Sequence, residues 1–147
     1  MNQEDKELLL KDLSARLTYG VKIETPKGIG NLGTIKLTIF YHELGVNIKA
    51  TERDYFPLNE CKPYLRPMSS MTEEEKKEMH EKLSPTGTAI YKEEGISTPL
   101  NHYGEWIPYE YMSRIIDWLL KNHFDFRGLI PKGLAIAVTE ENNPYKE

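Results

Sequence analysis

The sequence predicts an α+β fold: an N-terminal helix, a small antiparallel SH3-like sheet or partial barrel, and a C-terminal helical part packed on it. Three observations lead there. Leucines recur at helical steps in the first 20 residues. Apolar and polar residues then alternate at period two, with only short turns between the runs. A second helical pattern with a broad apolar surface follows Pro108.

The 147 residues suit one domain over 1–147, or two small halves sharing a core. Nineteen Lys and Arg against 23 Asp and Glu give a net charge of −4, which excludes a generally basic, histone-like protein. The single cysteine, Cys61, excludes an intramolecular disulfide and a multi-cysteine zinc cluster. No apolar run approaches the roughly 20 residues of a membrane helix. The acidic start Met1–Asp5 lacks a signal-peptide layout, so the expectation is a cytoplasmic protein with no membrane association.

The N-terminal helix spans 1–20. Leu9, Leu10, Leu13 and Leu17 form its stripe, while Lys6, Lys11 and Arg16 fall off it. Asn2 is placed to cap it, Glu4, Asp5 and Glu7 suit its dipole, and Gly20 stops it. The stripe covers too few heptads for a coiled coil and reads as packing on the body.

The antiparallel sheet is expected over 21–67. Val21 and Ile23 form one run. Ile35, Leu37, Ile39 and Tyr41 form a second, after a Pro26-Lys27-Gly28 turn. Val46, Ile48 and Ala50 form a third, after a Leu44-Gly45 turn. Such short links exclude parallel pairing. A fourth extended piece, Cys61–Pro67, could close the sheet, and its two prolines place it at an edge.

A surface helix is expected over 72–84, opened by a Thr72–Glu75 capping box and touching the body only through Met79 and Leu83. Residues 85–107 read as an irregular connection with one short strand at 88–91. The 108–139 stretch holds the central helix and the final short elements. Met112, Ile115, Ile116, Leu119 and Leu120 make its apolar surface, widened by Tyr111 and Trp118, so Trp118 and Leu119 should be buried on different sides. Leu134–Val138 reads as a last strand, and the polar tail 140–147 as frayed.

Several phrases resemble a protein family of unknown function from gut bacteria and their prophages. They are Leu8–Leu17 followed by Tyr19-Gly20-Val21, then Lys62–Thr72, Ile116–Leu119, His123–Ile130 and Lys132–Ala135. Ser14 and Thr18 depart from the family pattern, which tends to Cys and Pro at those positions. The resemblance touches both halves of the chain. It implies a bacterial or phage cytoplasmic protein and carries over no catalytic or binding residue.

The residues carry little catalytic patterning. His42, His80, His102 and His123 show no helical i, i+4 pair, and no cysteine lies near them, so no metal and no cofactor is assigned. His123-Phe124-Asp125 reads as helix-end structure, Cys61 as a small hydrophobe, and no catalytic residue is assigned. Gly28-Ile29-Gly30 lacks the third glycine and the helix of a phosphate loop.

The functional expectation is therefore a non-enzymatic interaction or accessory protein of a bacterium or its mobile elements, with a protein partner. Between Pro63 and Pro67, alternation puts Leu65 inward and Tyr64 and Arg66 outward as the binding pair, against the simpler reading that Arg66 ties down a nearby acid. One alternative is a weak nucleic-acid-binding module on the sheet surface. Residues 21–66 hold seven Lys or Arg against five Asp or Glu and carry Phe40, Tyr41, Tyr55, Phe56 and Tyr64. Against it stand the chain's pI near 5.6 and the aromatics needed for the core. A small hydrolase, with His123 near Cys61 or His102, is the second alternative.

Overall fold

The computed structural model describes residues 1–49, 51–83, 87–88, 91–92, 95–96, 100–101 and 109–146. They form an α+β chain that divides into two compact units, Met1–Leu65 with Leu129–Glu147, and Arg66–Gly128.

In the first unit, helix α1 spans Gln3–Arg16. Asn2 caps it as expected, its side-chain oxygen accepting the Asp5 N–H at 2.7 Å. Gly20, at φ +67°, turns the chain out of it. Leu9 and Leu13 are fully buried, each burial contributing roughly 1.5–3 kcal/mol. Arg16 is also fully buried. Asp12, one turn earlier and equally buried, accepts from its Nε at 2.6 Å and its Nη2 at 3.1 Å. A guanidinium enters an apolar core only with such a bidentate partner, which is why a stripe drawn from leucines alone leaves Arg16 off it.

The sheet has six strands: β1 Lys22–Thr25, β2 Gly28–Leu37, β3 His42–Lys49, β4 Glu52–Pro57, β5 Lys62–Leu65 and β10 Ile136–Ala137, in the order β10-β5-β1-β2-β3-β4. It is mixed rather than antiparallel throughout, because β10 pairs β5 in parallel. The chain reaches β10 only after the whole second unit, the kind of long excursion that a parallel pair requires. Pro26-Lys27 makes the β1–β2 hairpin as expected, with Thr25 facing Gly28.

The next turn lies elsewhere than expected. β2 stops at Leu37, Thr38–Tyr41 reverse the chain, and Leu44-Gly45 sit inside β3. β4 is a further strand that its charged Glu52-Arg53-Asp54 start conceals in the sequence. Inward residues Leu32, Leu44, Val46 and Phe56 join Leu9, Leu13, Ile23 and Leu65 in one core. β5 is not at an edge: β1 flanks it through Lys62 and Pro63, and β10 through Tyr64 and Leu65, so Pro63 has no partner on the β10 side where its missing N–H would matter.

The tail expected to fray is docked. The Tyr145 hydroxyl accepts the Lys22 N–H at 3.1 Å and donates to the Tyr64 carbonyl at 2.7 Å.

The second unit holds α2 (Glu73–Leu83) and α3 (Tyr109–Lys121). The capping box forms as expected, with Glu75 N–H donating to Thr72 Oγ1 at 3.1 Å and Thr72 N–H to Glu75 Oε2 at 2.9 Å. Met68, Met71, Met79, Ile115, Leu119 and Phe124 make this unit's core. Leu119 is buried, whereas Trp118 is half-buried and stacks on Phe124 at 5.7 Å.

After α3, Phe124 N–H reaches Leu119 O and His123 N–H reaches Leu120 O, with His123 itself left-handed at φ 62°. That is a Schellman ending with histidine where glycine is usual. Between the helices, β6 (Gly87–Thr88) pairs β9 (Leu100–Asn101), and β7 (Tyr91–Lys92) pairs β8 (Gly95–Ile96) inside it, where one short strand was expected.

Candidate interaction surface

The site is built from β2, β3 and β4. At the β2–β3 turn the Thr38 hydroxyl accepts the N–H groups of Phe40 at 3.2 Å and Tyr41 at 3.0 Å and donates to the Tyr41 carbonyl at 3.1 Å. The Thr38 N–H closes the turn on the same carbonyl at 3.0 Å. This tightly bonded reversal leaves Ile39 91% and Phe40 86% exposed, with Leu37 at 58%. Large apolar side chains on a rigid projection are the unusual observation, since scattered exposed residues need no explanation. Beside the tip lies a recess of about 450 Å³ lined by Met1, Lys6, Tyr41, His42, Pro57 and Leu58, among others. The strand reading had Ile39 and Tyr41 pointing inward. The sequence signal was the adjacent pair Ile39-Phe40, one of which any alternating strand must expose.

Away from the tip, the outward face of β2–β4 is floored by glycine. A Cβ at Gly33 would lie 2.7 Å from the Arg53 guanidinium, and one at Gly45 would lie 2.9 Å from Arg53 Cδ and 3.1 Å from Tyr55 Cε1. Arg53 thus lies flat across the sheet. Its Nε donates to Asn47 Oδ1 at 3.0 Å and its Nη1 to the Thr34 hydroxyl. Tyr55 is beside it, half exposed. The Lys36 ammonium then sits 5.6 Å from the Tyr55 ring centre and 5.9 Å from that of Tyr41.

The residues singled out in the sequence stand otherwise. Tyr64 is 5% exposed and therefore does not line an outer face, and Tyr145 bonds its carbonyl. Its hydroxyl donates to Glu24 Oε1 at 3.0 Å, and burial first, then Glu24, raise its pKa. Leu65 is buried as expected. Arg66 grips Glu75 with two bonds of 2.8 Å, reaches the Ser70 carbonyl at 3.4 Å and lies 4.1 Å over the Phe124 ring. Its backbone bonds to His123 O and Asp125 N. The simpler reading, a cation tying down an acid, describes its contacts.

Cys61 is buried among leucines, and burial, with Glu60 adding to it, pushes its thiol up to about 12. A thiol that stays protonated is a poor nucleophile. His102 lies outside the described residues. Among the described residues, no group of three or more His, Cys, Asp or Glu side chains could hold a metal. No described helix is long and apolar enough to cross a membrane.

No family model matches the chain, and neither a curated protein nor a solved structure does.

Proposed function

We propose that the chain is a non-enzymatic interaction protein that contacts a protein partner through the β2–β3 tip. The observation that carries the reading is the 91% and 86% exposure of Ile39 and Phe40 on a turn held by four hydrogen bonds. A rigid aromatic anchor loses little side-chain freedom on docking, and such residues dominate the energetics of interfaces. The adjoining recess offers the partner a complementary hollow. The bulged meander of β1–β4 supports an SH3-like description of this half of the sheet. The resemblance of Leu8–Leu17, Lys62–Thr72 and the C-terminal phrases to the gut-bacterial family supports a bacterial or prophage setting in the cytoplasm.

The test pairs Ile39→Ser with Phe40→Ser and compares co-purification from the native host with that of the unchanged chain. The reading expects normal folding, since both side chains lie outside the core, and loss of a stoichiometric partner. An unchanged set of partners overturns it.

A further inference from the structure

The outward face behind the tip gathers cations and rings. Arg53 and Tyr55 both lie against Gly45, and the Lys36 ammonium lies 5.6 Å from the Tyr55 ring centre and 5.9 Å from that of Tyr41. Among the described residues neither Arg53 nor Lys36 forms an ion pair. Arg53 is held instead by the neutral groups of Asn47 and Thr34, which fix its plane and leave its charge uncompensated. A preorganised guanidinium of this kind suits a phosphate or a carboxylate. Glu43 shares this face by alternation, opposite Lys36 on β3, and Glu52 lines a hollow with Asn47, Arg53 and Tyr55. Asp54 alternates to the other face and is drawn to Lys27 at 3.5 Å. The row thus sets its two cations beside two acids that do not pair with them.

We infer that this row is a binding platform for single-stranded nucleic acid. A single strand repeats one anionic phosphate and one planar base per residue, and the face repeats one cation and one half-exposed ring. Stacking on tyrosine tolerates any base, and the cations take the backbone. A duplex hides its bases and cannot use the rings. The inference is independent of the protein contact at the tip, because it rests on Arg53, Tyr55 and Lys36 rather than on Ile39 and Phe40.

The test is fluorescence anisotropy of short labelled oligo(dT) and oligo(U) with the full chain, from about 50 mM to about 200 mM salt. Two phosphate contacts predict a log–log salt slope of about −1.4, falling to about −0.7 in Lys36→Gln or Arg53→Gln. Tyr55→Ala should weaken binding roughly tenfold or more with the slope unchanged. Lys36 is exposed and bonded only through its ring contacts, so Lys36→Gln keeps the fold and the test even if Arg53→Gln does not. Tighter binding of one oligomer identifies the strand as DNA or RNA. Three results overturn the inference: no anisotropy change, equal binding of duplex, or capture of poly-glutamate in place of the oligonucleotides.

Discussion

Tyr145 donates its hydroxyl hydrogen to the carbonyl of Tyr64 at 2.7 Å, 81 residues away in the chain. The same oxygen accepts the Lys22 N–H. Lys22 and Tyr64 are the next pair in register after Ile23↔Pro63, so a side-chain hydroxyl stands where a direct strand-to-strand bond would be. Burial raises the Tyr145 pKa to about 12, against the smaller lowering by Lys22 and Arg16, and the phenol remains a donor at any physiological pH.

Tyr145→Phe should therefore cost about 1–3 kcal/mol, because it removes the bridge and leaves both backbone groups short of a partner. Urea unfolding measures this. A variant as stable as the parent would show that the two strands close up without the hydroxyl.

The Asp12–Arg16 pair, with both side chains fully buried, predicts an asymmetry. Asp12→Ala should lose roughly 3–5 kcal/mol, since a buried guanidinium is left without its carboxylate. The double change Asp12→Leu with Arg16→Met should lose far less. Equal losses in the single and double variants would mean that shape, not charge compensation, governs this site.

Acid should loosen the second unit through Glu75. Burial acts to raise its pKa, but hydrogen bonds from Arg66 and from the Thr72 N–H outweigh that and hold it below the ordinary 4.5. A depressed folded pKa means the contribution is complete above 4.5 and is lost as pH falls through the folded value. Thermal melts across that range should show a steeper decline for the parent than for Glu75→Gln. Parallel curves would rule out the Arg66–Glu75 pair as the source.

Cys61 should resist thiol reagents at about pH 8 in the folded chain and react after unfolding, because burial holds the thiol up to about 12. Rapid native labelling would reopen the hydrolase alternative.

What the sequence disclosed was local. The Asn2 cap, the Thr72–Glu75 box and the Pro26-Lys27 turn each depend on neighbours within four positions, and all three form. What it concealed depends on distant partners. Arg16 reads as a surface cation until Asp12 and the core enclose it. Tyr64 reads as an outward ring until Glu24, 40 residues earlier, takes its hydroxyl and Tyr145, 81 residues later, bonds its carbonyl. Ile39 reads as core until Thr38 ends its strand early. Tyr55 is legible as an aromatic of the sheet region, but the charged Glu52-Arg53-Asp54 run hides the strand that sets Arg53 beside it. Their meaning depends on Gly33 and Gly45, which leave them room to lie flat.

The β2–β3 tip is the proposed contact surface. A photo-crosslinking amino acid at Phe40, compared with one at exposed Glu140, tests it most directly in the native host. A discrete crosslinked species from position 40 and none from position 140 is the expected result. Crosslinks from position 140 with none from position 40 would contradict it.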